Sequence, residues 1–365
     1  MMKRSLLCVL ILLSEYSHAI EQKSVFESSR NWGRGGAYVA AYDSDEATRF
    51  NPATLAETDI SFQMRFYQLD LSLAEATVDT INDLADTSGS EDGLSFMRKF
   101  DDKFGDKQFF RGQFSPLSMR FGAFEFSPFV VLDTTLEINS PTLPESKWLS
   151  DTYAGASFSY SRKFFTSLAL GLTLRPMYRW KIDGKIGFTD LMDFLPPASK
   201  QFSDISPIVS GFGLGVDVGG VWQVSPKFRW GLVVQNVGDM GYFQDYSTKP
   251  EPFRQKFSTG ILSRNQWGPW NLDFLADIQD LENRDGLNLL RLLHYGLEFG
   301  TSVISRDHDY GILLGVNEGY ITTGVFLDLL LVRFDISNYA VEDAFNPGQD
   351  RDRRWAFSAR TTMTF

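Results

Sequence analysis

This 365-residue chain is poor in the residues from which catalytic and metal centres are built. It has one cysteine, three histidines and more acids than bases, 46 against 35. The cysteine, Cys8, lies in an apolar run at the N-terminus, so a chain processed after that run has no disulfide framework, thiol nucleophile or thiolate metal site. Of the histidines only His294 and His308 follow the run, too few for a multi-histidine metal site. A net charge of −11 without basic runs argues against nucleic-acid binding. Beyond the N-terminus there is no run of eighteen apolar residues, hence no spanning helix.

Residues 1–19 read as a secretory signal peptide. Lys3 and Arg4 supply the positive region, 6–13 the apolar core, and Ser17-His18-Ala19 a small-x-small cleavage site. Removing the segment leaves the chain slightly more acidic. Aromatics make up 15% of the residues, with 32 Phe and 8 Trp. A soluble β-sandwich could hold that many in its core, but the export segment and the C-terminus point elsewhere.

The last twelve residues alternate. Trp355, Phe357, Ala359, Thr361, Met363 and Phe365 fall on one face, with Arg354, Ala356, Ser358, Arg360, Thr362 and Thr364 on the other. Period two is a strand, and an apolar face backed by arginines suits a wall between lipid and water. A final aromatic in such a strand resembles the terminal signal that outer-membrane barrels present to the barrel assembly machinery, here through Phe365.

The same alternation recurs upstream. Leu170, Leu172 and Leu174 oppose Thr173 and Arg175; Phe212, Leu214, Val216 and Val218 oppose Asp217; Leu330, Val332, Phe334 and Ile336 oppose Arg333 and Asp335. About fourteen strands are predicted, near 59–72, 115–122, 124–138, 152–161, 164–181, 206–224, 227–237, 254–263, 270–278, 291–304, 309–317, 320–327, 329–339 and 354–365. Connections after odd strands are mostly long and those after even strands mostly short, the rhythm of outer loops and periplasmic turns. Trp180, Trp222, Trp230, Trp267, Trp270 and Trp355 near strand ends suit interfacial girdles. The expected fold is all-β: a transmembrane antiparallel β-barrel of about fourteen strands, both termini periplasmic, in a bacterial outer membrane.

Two segments fall outside this pattern. In the long outer loop at 73–114, residues 74–85 read helical. Leu94, Met97, Phe100 and Phe104 fall on one helical face, either packing on the barrel rim or forming a capture patch for a hydrophobic ligand. The other is 20–58, small-residue-rich and without alternation, as a plug inside a lumen requires; Asn51-Pro52 marks a turn that starts a short helix.

In this second segment Gly33-x-Gly35-Gly36-Ala37-Tyr38, the acids Asp43, Asp45 and Glu46, and then Asn51-Pro52-Ala53 resemble the FadL-type family of outer-membrane transporters and its PorV-like relatives. The resemblance implies a fourteen-stranded barrel (59–365) with an N-terminal hatch (20–58) carrying Gly33, Gly35, Gly36, Asn51, Pro52 and Ala53. It implies passive uptake of long-chain fatty acids or other hydrophobic small molecules, with outer-membrane lipid and the hydrophobe as partners, no cofactor and no catalysis. A kinked third strand in that family opens the wall sideways, which makes Pro128 the candidate portal, with Pro116 and Pro176 as alternatives. The inward charges Arg175, Arg179, Asp217, Glu298 and Arg333 are either lumen ion pairs or a ligand site. Gly211, Gly213 and Gly215 leave space on one inward face, expected to admit the hatch. The competing function is a PorV-like barrel that docks secreted or surface proteins and moves no solute.

Overall fold

The structure is a computed structural model that describes residues 24–42, 44–57, 60–87, 107–138, 145–187, 208–243, 249–301, 309–329, 331–343 and 347–365. The proposed signal peptide and the stripe Leu94, Met97, Phe100 and Phe104 lie outside the described residues. Alternation turns the rest into one antiparallel sheet. Its strands are β1 (Phe62–Ala74), β2 (Lys107–Ser115 continued by Ser118–Phe121), β3 (Phe124–Ile138), β4 (Glu145–Phe165), β5 (Leu168–Gly187), β6 (Ile208–Ser225) and β7 (Phe228–Gln235). The second half comprises β8 (Lys256–Trp267), β9 (Trp270–Ile278), β10 (Leu293–Thr301), β11 (Tyr310–Asn317), β12 (Tyr320–Leu329), β13 (Val332–Glu342) and β14 (Arg351–Thr364). Each strand pairs with its sequence neighbours, and β1 pairs with β14 from Gln63↔Thr364 to Ala74↔Arg354. The barrel is closed with fourteen strands and no free edge.

Side chains separate by parity. On β10, Tyr295, Leu297 and Phe299 are exposed to the outside while His294 and Glu298 are buried inside. On β14, Trp355 and Phe357 face out and Arg354 and Arg360 face in. An apolar exterior over a charged interior is a lipid-facing wall.

Two differences from the sequence reading matter. The segment expected as one loop, 73–114, is shorter: β1 runs to Ala74, helix Glu75–Thr87 follows, and β2 starts at Lys107. The first half of β2 mixes its faces, since Phe109 is buried beside Arg111 and Gln113, and Pro116 interrupts the ladder where the strand was expected to begin. The wall is also uneven. With 21 and 20 residues β4 and β5 extend about 65 Å at roughly 3.3 Å per residue, well past the 9–11 residues that cross a bilayer. Strand β11 has 8 residues and turns at once through Glu318 and Gly319, both with positive φ.

A fourteen-stranded wall encloses more space than its own side chains fill, and 24–57 occupies it. Helix Ser29–Gly33 packs against β11–β14, and the 3-10 turn Pro52–Glu57 lies along β4–β6. The fit is backbone against backbone. Gly35 has φ +70, and a Cβ there would overlap the Tyr295 carbonyl oxygen, while a Cβ on Gly315 of β11 would overlap the Gly35 nitrogen. Gly315→Ala should therefore reduce the folded, heat-modifiable form on gels and lower the unfolding free energy by about 1–3 kcal/mol. Gly241→Ala should leave both unchanged, because an added Cβ there meets no atom within 4 Å.

Candidate binding chamber

Most of the lumen is held by ion pairs. Burying an unpaired charge is costly, so most guanidiniums inside the wall lie beside a carboxylate. Arg30 and Arg34 of the hatch share Glu298 of β10; Arg49 pairs with Asp70 at 2.6 Å; Glu27 lies 3.3 Å from Arg111; Glu57 pairs with Arg229; and Asp45 and Glu46 face Arg360. The Asp277 carboxylate accepts the Tyr38 and Val39 backbone N–H groups at 2.6 and 2.9 Å. His294 Nδ1 lies 3.0 Å from the Gly35 carbonyl oxygen, so this histidine anchors the hatch. A void with room for about one water lies inside the hatch beside Asn31, Arg34, Glu46, Asn51 and Thr54.

One sector of the lumen holds a closely packed apolar cluster, the candidate chamber. Val25 and Phe26 of the hatch meet Phe129 and Val131 of β3, Tyr153 of β4 and Met177 of β5, with Phe50 behind them. The roof comes from the connection after β7. Asn236 and Asp239 take positive φ, Met240 bridges to Phe253, and Tyr242–Phe243 adds two residues to β6. This turns Met240, Tyr242 and Phe253 into the barrel. Outside, the Gln255 backbone N–H and then the Arg284 guanidinium hold the Asp239 carboxyl below the usual carboxylate range, which pins the fold of the roof. The room beside Gly213 and Gly215, expected for the hatch, is taken by Met240 instead.

Phe26 meets Phe129 edge-on at 4.8 Å between ring centroids, and Tyr153 meets Phe253 at 5.6 Å. Guanidinium planes complete the walls: Arg175 lies 4.8 Å over Phe26 and Arg179 4.4 Å over Phe253. Both are neutralised. Arg179 donates through Nε to Asp151 at 2.6 Å, through a second nitrogen to the same carboxylate, and to the Glu251 carbonyl at 2.6 Å. Arg175 donates to Asp217, which also accepts the Asn236 N–H at 2.8 Å. Arg111 donates to Asp133 at 3.1 Å and to the Tyr153 hydroxyl at 3.0 Å.

Beside the chamber the wall is interrupted. The β2–β3 ladder stops at Phe114↔Val130 and resumes at Met119↔Phe126, leaving Pro116 and Leu117 opposite Ser127, Pro128 and Phe129. On one side β1 shifts register between Arg65 and Tyr67; on the other, the β4–β5 ladder skips from Gly155↔Met177 to Phe158↔Leu174, across Pro176. The three prolines thus fall at one level of the wall, in two gaps on either side of an unbroken β3–β4 ladder, and inside the first gap the Ser118 and Ser127 hydroxyls are 2.7 Å apart.

Of the lumen charges singled out from sequence, Arg175, Arg179 and Asp217 come together at the chamber. Glu298 lies across the lumen on the hatch, and Arg333 pairs with Asp335 at 3.1 Å near the short-turn end. Gly33, Gly35 and Gly36 meet β10–β13. Asn51 reaches the Val39 carbonyl at 2.7 Å, Pro52 abuts Gly171, and the Ala53 carbonyl accepts the Ser161 hydroxyl at 3.1 Å. The chamber aromatics were not singled out, although 128–132, P-F-V-V-L, is apolar on both faces, a signal that its inner face does not meet water.

No protein-family model matches the sequence, and no curated protein matches it. Solved structures do. The chain is similar to the CymD monoaromatic hydrocarbon channel, with 12% identity, a TM-score of 0.56, and 94% of this chain and 98% of that one covered. It is similar to the Ralstonia pickettii toluene transporter TbuX at 12% identity, TM-score 0.52, over 93% and 98% of the two chains. It is similar to a Pseudomonas aeruginosa FadL homologue at 10% identity, TM-score 0.51, over 96% and 100%. The resemblance read from Gly33 to Ala53 therefore extends to the fold of nearly the whole chain.

The double clamp on Glu298 generates a stability prediction. Glu298→Gln removes the charge shared by two buried guanidiniums and should cost about 3–5 kcal/mol in denaturant unfolding of the refolded barrel. Glu251→Gln, whose side chain is 83% exposed, should change stability by less than about 0.5 kcal/mol.

Proposed function

We propose that this protein is a passive outer-membrane channel for small, uncharged hydrophobic molecules. The carrying observation is the packed apolar cluster around Phe26 and Phe129 beside an interrupted wall, the largest apolar cluster described in a lumen rich in ion pairs. Cargo enters from the long-loop end, rests among Phe26, Phe129, Tyr153, Met177, Tyr242 and Phe253, and leaves sideways into the bilayer through the Pro116–Pro128 gap. Pro128 is the portal residue in this reading. Hydrophobe channels among the fold neighbours support it.

Of the cargo classes considered, an uncharged hydrophobe suits the chamber better than a fatty-acid carboxylate. Arg111, Arg175 and Arg179 already hold Asp133, Asp217 and Asp151, so a second carboxylate would have to displace one of these. The short turns face the periplasm, where Phe365, stacked 5.5 Å from Phe62, serves recognition by the assembly machinery; the described chain begins inside the lumen, at Ser24 beside Arg111. No catalytic role is assigned to any residue. One observation favours the docking alternative: among the described residues the void at the centre of the hatch has room for about one water, as a sealed barrel requires.

A redox staple across the Pro116–Pro128 gap separates these readings. Ser118→Cys with Ser127→Cys places two sulfurs at bonding reach in a chain whose only native cysteine is Cys8. Uptake of radiolabelled alkylbenzene by cells carrying this variant should fall at least fivefold when oxidised and recover on reduction. Equal uptake in both states removes the lateral exit. Equal uptake by cells with and without the protein removes transport and leaves docking.

A further inference from the structure

The chain is acidic, yet one sector of its rim is not. There is no Asp or Glu between 152 and 182 or between 218 and 238, the stretches that form the β4–β5 and β6–β7 turns at the short-turn end. Arg162, Lys163 and Lys227 are exposed there, and none has a carboxylate partner among the described residues. The two turns form one surface. The Ser167 carbonyl accepts the Gln223 N–H at 2.7 Å, and the Lys227 carbonyl accepts the Arg264 N–H at 2.8 Å. Two strand spacings separate the turns, about 10 Å.

Apolar side chains accompany the cations. Phe164 and Phe165 are 57% and 71% exposed and Val224 48%, in a wall that otherwise buries or aligns its apolar groups by parity. Arg162 lies 6.0 Å over the Phe164 ring. Immediately above, on the lipid side, Trp222 and Trp230 pack edge-on at 6.5 Å, and the Trp230 Nε1–H donates to Thr259 at 2.8 Å. Amphipathic tryptophans mark the level where hydrocarbon gives way to headgroups, so the three cations sit at phosphate depth. Cations at that level gain from anionic lipid, and phenylalanines beside them gain from the acyl boundary.

We propose that the β4–β5 and β6–β7 turns form a binding site for the headgroup of an anionic phospholipid in the leaflet at the short-turn end. Arg162, Lys163 and Lys227 engage its phosphate oxygens, and Phe164 and Phe165 insert beside its glycerol backbone. The site rests on the membrane placement proposed above. It is independent of cargo, because it lies on the outer rim and shares no residue with the chamber.

The test is native mass spectrometry of the full chain in detergent, titrated with phosphatidylglycerol or phosphatidylcholine. The wild type should retain phosphatidylglycerol in preference. Arg162→Gln, Lys163→Gln and Lys227→Gln combined should lower that retention at least tenfold, from roughly fivefold per charge, with phosphatidylcholine retention unchanged. All three side chains are exposed, so the heat-modifiable folded form reports that the barrel is intact, and the single substitutions serve if the triple variant does not fold. Equal retention of the two lipids by the wild type, or equal phosphatidylglycerol retention by the folded variants, overturns the site. Failure here leaves alkylbenzene uptake untouched, so the two proposals fail separately.

Discussion

The constraint on which the rest depends is the filling of a lumen too wide for the wall's own side chains. Closing fourteen strands removes every free edge but leaves an interior lined by Arg, Asp and Glu, whose charges lose the solvation of bulk water. The hatch resolves both problems at once. Its glycines let backbone reach backbone at β10 and β11, removing empty volume, and its Arg30, Arg34, Asp45, Glu46 and Glu57 complete charge pairs that the wall leaves open. Each part completes the other, since the wall charges Glu298, Arg229 and Arg360 have ion-pair partners on the hatch.

What was legible in the sequence follows from where the solvent imposes a period. Lipid outside and a polar lumen inside force alternation, so the number of strands, their approximate positions and the inward parity of Arg175, Asp217, Glu298 and Arg333 could be read directly. The glycine and Asn-Pro motifs could be read because they encode close approach and a turn, both local properties. The partners could not. Arg30 and Glu298 are 268 positions apart, and nothing local in either residue names the other.

The chamber was hidden for a related reason. An inward Phe129 or Val131 is indistinguishable by type from an outward Val130 or Leu132, so an apolar interior erases the period that reveals interiors elsewhere. The first half of β2 was hidden by its mixed inner face and by Pro116. The roof depends on a loop that turns inward at three residues with positive φ, Asn236, Gly238 and Asp239, and only Gly238 carries the usual signal. In each case the failure of alternation marks the part of the barrel that is not simply a wall.

The distribution of forces around the hatch bears on how a plugged barrel could conduct. The described ion pairs of the hatch end on β1, β2, β7, β10 and β14. Toward β3–β6 it presents Val25, Phe26 and the turn Pro52–Glu57, held there by hydrogen bonds such as Ser161 Oγ to the Ala53 carbonyl and with no described ion pair to those strands, while Arg175 and Arg179 of that sector pair within the wall, with Asp217 and Asp151. Charge pairs in low dielectric resist displacement because separating them exposes two unsolvated charges. Apolar contacts are non-directional, and an apolar guest can replace them nearly in kind. A hydrophobe arriving between Phe26 and Phe129 exchanges one apolar neighbour for another and leaves every ion pair intact. The yielding side of the hatch is therefore the side that faces the Pro116–Pro128 gap, and the anchored side holds the plug in place while it yields.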